Sequence, residues 1–154
     1  MFNQDESNKI NNTVREFFRK ISPEIAVSVG QFQDQTLPIS VQMDTPQILI
    51  GEGGRTLAEL QHVLRLLLKK GIDQHFYVNL DINDYKKKKI EYLKETAKSI
   101  ADEVSLSKKT KEFPAMPAFE RRVIHLELAS RTDVVSESVG QEPERRIVIK
   151  PCGD

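Results

Sequence analysis

Apolar residues recur at helical spacing between Asp5 and Lys20, where Ile10, Val14, Phe17 and Phe18 (with Ile21 just beyond) are separated by Arg15, Glu16 and Arg19. The spacing predicts an amphipathic helix, which Ser22-Pro23 ends because proline constrains the residue before it and cannot extend the helix. Ile25, Val27 and Val29 then alternate with Ala26 and Ser28, the pattern of a half-buried strand. After the polar turn at Gln33-Asp34-Gln35, Leu37 to Met43 alternates again and should pair with it as a hairpin. Asp44-Thr45-Pro46 signals a helix start and leads into Ile48-Leu49-Ile50 and the cluster Gly51-Glu52-Gly53-Gly54. A long helix is predicted from Arg55 to Lys70, with Leu57, Leu60, Val63, Leu64, Leu67 and Leu68 as a wide apolar face and Gly71 as its cap. His75 to Ile82 reads as a third strand.

Asn83-Asp84 breaks the pattern, and a second series begins. Tyr85 to Val104 predicts a helix carrying Ile90, Leu93, Ala97, Ile100, Ala101 and Val104, followed by a polar connection from Ser105 to Lys111. Phe113 to Pro117 leads into a helix from Ala118 to about Ser130, with Phe119, Val123 and Leu126 expected in the core. Val134-Val135 and Arg146 to Lys150 read as strands joined through the turn-rich Ser138 to Pro143. The chain is thus expected to be α+β, in two small modules over residues 5–82 and 85–150.

Composition narrows the setting. Hydrophobic residues make up 38% and charged residues 30%, with 7 glycines and 7 prolines, which excludes collagen-like and disordered classes. The lone Cys152 rules out an internal disulfide and a cysteine-rich zinc site. No stretch reaches the roughly 18 apolar residues of a membrane helix, and the first residues lack the pattern of a signal peptide, so a cytoplasmic protein is expected. The net charge of zero conceals an asymmetry: 8 basic against 11 acidic residues in 1–84, and 15 against 12 in 85–154. A polyanion would be met mainly by the C-terminal half, although ordinary surface scatter gives the same imbalance.

The glycine cluster is the first candidate for chemistry. Glycines at the start of a long helix let the backbone approach a ligand, and the N–H groups there favour an anion. The phosphate loop Gly-x-x-x-x-Gly-Lys-Ser/Thr and the dinucleotide fingerprint Gly-x-Gly-x-x-Gly are both absent. A Gly-x-x-Gly loop also clamps nucleic-acid backbones in K-homology domains, though a ligand-free helix connection uses the same glycines. In element order and loop, residues 5–82 resemble a type II K-homology domain, and Ile50 to Gln61 is similar to the glycine loop of bacterial Jag (SpoIIIJ-associated) proteins. The resemblance implies a nucleic-acid-binding role for Gly51, Glu52, Gly53, Gly54 and Arg55. Family members usually carry a basic residue in mid-loop; Glu52 stands here, and an acid repels phosphate.

The second candidate is Pro117 to His125. Arg121 and His125 are four apart and share a helix face, with Arg122 beside them. Arginine offers a planar fork of donors matched to phosphate, and histidine adds a donor or stacks on a base. With Met116-Pro117, Glu120-Arg121-Arg122, His125, Ser136-Glu137-Ser138 and Glu142 to Ile149, this stretch resembles the single-stranded nucleic-acid-binding domain named for its Arg-x-x-x-His motif (the R-3-H domain), as Jag proteins carry it. The resemblance implies a small α/β domain with a short three-stranded sheet and two helices. It further implies a regulator that binds single-stranded RNA, or single-stranded DNA, and that pairs with a small K-homology protein or with itself. Full-length members carry an N-terminal Jag domain, which this chain is expected to lack.

Other readings stand beside these. A histidine at position 125 also fits a core site satisfied by a backbone carbonyl. Lys86 to Lys89, with Lys87 as the candidate contact, opens a helix where the dipole disfavours cations, yet a solvated lysine run looks the same. Tyr77, Tyr85 and Tyr92 are candidate stacking platforms. His62, His75 and His125 lack metal-ligand spacing, and Gly-x-Ser-x-Gly is absent, so no cofactor and no enzyme activity are expected. A protein-interaction module with weakened RNA binding is the alternative function.

Overall fold

A computed structural model describes residues 3–70, 72 and 74–153 of the chain, in two units, 1–86 and 87–154. The expected cap Gly71 lies outside the described residues. In the first unit, α1 (Gln4–Ile21) starts on a capping box: Asn3 accepts from the Glu6 backbone while the Glu6 carboxylate accepts from the Asn3 N–H. β1 (Ala26–Val29) pairs antiparallel with β2 (Thr36–Gln42), and β2 pairs in parallel with β3 (Tyr77–Ile82), so β2 is central. A parallel pair requires a crossover. Here the crossover holds α2 (Gln47–Ile50), the glycine loop and α3 (Arg55–Lys69).

Alternation along the strands explains the layering. Leu37, Ile39 and Val41 of β2 and Val78, Leu80 and Ile82 of β3 are in register and buried with Ile10, Val14 and Phe18 of α1 and Leu57, Leu64 and Leu68 of α3. The opposite face of the sheet carries Ser28, Ser40, Gln42, Tyr77 and Asn79, all exposed. Only part of the apolar stripe predicted for α3 is core: Val63 and Leu67, together with Leu66, are exposed. Three buried positions at i, i+7 and i+11 anchor the helix to the sheet, and the wider stripe extends past that contact. Asn83 straps the site end of the unit. Its side chain accepts from the Met43 N–H at 3.0 Å and donates to the Met43 carbonyl at 2.8 Å, while its own N–H reaches Val41 O.

The second unit contains most of α4 (Tyr85–Ser107), then β4 (Lys111–Glu112), α5 (Ala118–Leu128), β5 (Val134–Val139) and β6 (Arg146–Pro151). β6 is central, antiparallel to both β4 and β5. α4 runs three residues past Val104, and Lys111-Glu112, which reads as polar connection and its continuation, pairs with Val148-Ile149. Its core joins Leu93, Ala97, Ala101 and Val104 of α4 to Ile124 and Leu128 of α5 and to Val134, Ile147 and Ile149 of the sheet.

The inward face of α5 differs from expectation. Phe119 and Leu126 are 61% and 66% exposed, whereas Arg121, Ile124 and Leu128 are buried and Val123 packs at the core edge. The helix turns the arginine inward because partners await it there, which hydrophobic spacing does not report. Lys89 to Glu120 (3.8 Å) and Lys98 to Glu127 (2.9 Å) link α4 to α5 beside that core.

Candidate nucleic-acid interface

The glycine loop follows from local backbone chemistry. Pro46 O accepts from the Leu49 and Ile50 N–H groups, Gln47 O from Gly51, and Gly51 O from Gly54 at 3.3 Å. The chain can turn this tightly because Gly51, Gly53 and Gly54 have φ of +72°, +60° and +85°, where a side chain is strained. The three glycines differ in their surroundings. A Cβ on Gly51 would overlap the Thr56 hydroxyl and backbone, and one on Gly54 would lie 2.9 Å from the Tyr85 ring. At Gly53 it would meet nothing within 4 Å. Gly51 and Gly54 are therefore committed to internal packing, and Glu52-Gly53 is the segment presented outward at the start of α3. Arg55 is exposed and its Nε lies 3.4 Å from the Glu59 carboxylate.

Tyr85, one of the three tyrosines considered, is half-buried against the first unit's core and touches the loop through Gly54. Lys86 is held by Asn79 (2.5 Å) and Gln61 (3.3 Å), and burial lowers its pKa against the opposing pull of Asp81. Tyr77 stands edge-on to His75, and Tyr92 is exposed.

In the second unit, Arg121 and His125 share a face of α5 as the spacing requires. The Arg121 side chain is 8% exposed. Its Nη1 donates to the Met116 carbonyl at 2.6 Å and its Nη2 to Glu142 Oε1 at 2.8 Å. Met116 is held in turn, its N–H donating to Arg145 O at 3.1 Å. His125 Nδ1 lies 2.8 Å from Ser136 Oγ on β5, so its partner is a hydroxyl and not a backbone carbonyl. Burial, reinforced by the Arg121 charge, lowers the His125 pKa, which favours the neutral imidazole at pH 7. Arg122 is exposed beside this pair and Lys87 is exposed in the first turn of α4; neither makes an ion pair among the described residues.

The sequence motif contained Ser136 and Glu142 without giving either a role. Both act on partners 11 and 21 residues away, and no local pattern encodes such pairing. Among the described residues no group of three His, Cys, Asp or Glu is placed to hold a metal ion, and no helix is long and apolar enough to cross a membrane. Cys152 is exposed and free.

Comparison with known proteins gives this second unit a class. Residues 91–151 match the R-3-H domain, so the chain carries an R-3-H domain around the Arg121–His125 face. The chain is also similar to proteins named RNA-binding protein KhpB. It is 34% identical to the one from Clostridium symbiosum over 116 residues, which is 75% of this chain and 52% of that protein. Identity is 37% over 102 residues with that of Lactiplantibacillus plantarum, covering 66% of this chain and 32% of the relative. With that of Bacillus subtilis it is 30% over 121 residues, covering 77% and 58%. The chain thus spans from about a third to somewhat over half of the length of these relatives.

Proposed function

We propose that the chain binds single-stranded RNA, holding the sugar–phosphate backbone rather than reading a duplex groove. The observation that carries this reading is the pairing of Arg121 and His125 on one face of α5 inside an R-3-H domain. The names of the relatives agree with it. A guanidinium fork and a neutral imidazole supply phosphate donors without demanding a particular base. In the same reading residues 5–82 are a type II K-homology domain and Gly51–Arg55 is a second backbone clamp. The element order, the parallel β2–β3 pair and the outward Glu52-Gly53 support it. No catalytic step is assigned to His125.

The test is fluorescence anisotropy with single-stranded RNA, single-stranded DNA and duplex DNA at two salt concentrations, with Arg121→Ala/His125→Ala alongside. Single strands should bind with a salt slope of about −0.7 per phosphate neutralised, and the double variant should bind several-fold more weakly. A folded chain that binds none of the three contradicts the proposal.

A second reading, a self-association module or a partner for a small K-homology protein, is favoured by the surface of α3. Val63 and Leu66 are exposed between Glu59 and Lys70, and an antiparallel copy of this helix would set Val63 on Leu66 and Glu59 on Lys70. Sedimentation at several ionic strengths separates the readings: this one predicts a stable oligomer with little salt-sensitive RNA affinity.

A further inference from the structure

Arg121 already holds an anion. Its side chain is almost wholly withdrawn from water, while the Glu142 side chain that meets it is 59% exposed on the β5–β6 turn. The two partners of the guanidinium differ in kind. Met116 O is a backbone acceptor pinned by the Met116–Arg145 bond and cannot leave without disturbing the approach to α5. Glu142 is a side chain on a surface turn, which Gly140 enters at φ +86° and the Glu144 N–H to Gln141 O bond closes at 2.8 Å. A carboxylate and a phosphate present the same acceptor geometry to a guanidinium fork, and phosphate brings more oxygens and charge.

We propose that Glu142 is a built-in phosphate surrogate, which occupies the Arg121 anion site in the free protein and is displaced when the backbone of a single strand binds. The inference rests on the proposed RNA-binding reading and adds a competitor to it. The exchange needs no backbone rearrangement: Arg121 keeps its Met116 bond and trades one oxyanion for another, and the freed Glu142 side chain is already at the surface. Further cations stand nearby in the chain, Arg145 on the exposed turn (Nε to Ser138 Oγ, 3.0 Å) and Arg122 on α5, both solvent-accessible. Intrinsic affinity at this face is therefore lower than its arginines would otherwise give, since any ligand must outcompete a tethered carboxylate.

Glu142→Gln keeps the shape and the hydrogen-bond acceptor but removes the charge. With fluorescently labelled oligouridine as probe, the variant should bind about three- to tenfold more tightly than the unaltered chain. Its salt slope should be steeper by up to about 0.7, because Arg121 then gains a phosphate without giving up a carboxylate. The gain should vanish in an Arg121→Ala background. Circular dichroism melting of each variant reports folding, and Glu142→Asp, too short to hold Arg121 in the same way, gives an independent second variant with the same expected direction. Equal or weaker binding by Glu142→Gln, while Arg121→Ala still weakens the unaltered chain, overturns the surrogate: Glu142 would then be a strut that positions Arg121, and the RNA-binding reading would stand. No binding by any folded form overturns both.

Discussion

The two candidate clamps meet the same ligand chemistry from opposite ends. The glycine loop has the geometry of an anion site, a tight turn opening a long helix, but its outward residue is Glu52 and the cation next to it in sequence, Arg55, is shared with Glu59. The α5 face has the charge, a guanidinium taken out of water, but its anion is already supplied by Glu142. Neither region lacks a counter-charge when empty. Binding at either must therefore displace or offset a carboxylate of the protein itself, and the two sites differ in how hard that carboxylate is to move.

The largest effects should come from the parts that carry the geometry. Gly51→Ala places a Cβ against the Thr56 backbone at a φ that disfavours it, and should destabilise the first unit by about 2–4 kcal/mol. Gly53→Ala meets only the left-handed strain of about 1 kcal/mol, its surroundings being open. Thermal melts of the two variants compare them directly; equal losses would show that the loop does not close on Thr56.

Next in size is the α5 face. Arg121→Ala leaves the Met116 carbonyl without its donor and should cost about 1–3 kcal/mol, whereas Arg122→Ala one residue on should stay within about 0.5 kcal/mol. Urea denaturation followed by circular dichroism would measure both. If the two variants matched in stability, the buried placement of Arg121 would be wrong.

Charge reversal in the loop should act on binding and not on folding. Glu52→Lys replaces a repelling with an attracting charge at an exposed position beside a helix N-terminus, and should tighten single-stranded RNA binding by roughly two- to fivefold. Unchanged affinity would remove the glycine loop from the interface and leave the α5 face alone.

The smallest effect is in pH. His125 has a lowered pKa in the folded chain, so the unfolded chain takes up the proton first and the fold loses stability as pH falls below the ordinary histidine value of 6.5. A bound phosphate favours the imidazolium, so RNA affinity should rise modestly over the same fall in pH, and His125→Gln should abolish that rise. Glu120 runs the other way. Burial raises its pKa despite Lys89, so its proton is held more tightly in the folded chain and stability is gained as pH falls through that raised value. Melts of His125→Gln and Glu120→Gln across pH separate the two contributions.

The order of elements is legible in the sequence because most apolar runs have a single period and most breaks carry glycine, proline, an Asn-Asp pair or a short polar run. α1, the β1–β2 hairpin, the glycine loop and α3 are readable in this way. α5 is legible as a helix, but its inward face is not, because its apolar residues offer two stripes. Phe119, Val123 and Leu126 form the more continuous one, and the competing stripe through Ile124 and Leu128 contains an arginine. The arginine is the informative residue, but its burial depends on Met116 and Glu142, and a carboxylate 21 positions away leaves no periodic trace. On α3 the reverse holds: Val63 and Leu67 look like core in the pattern and stay at the surface, since a helix laid on a three-stranded sheet has more apolar width than the sheet covers.

The most direct test of backbone holding at these two sites is a two-dimensional amide NMR titration of the unaltered chain with oligouridine. Saturable shifts are predicted at Arg121, Arg122, His125, Ser136 and Glu142, accompanied by shifts at Glu52, Gly53 and Arg55. A titration that leaves the α5 face and the loop unmoved, or moves only the exposed residues of α3, would contradict it.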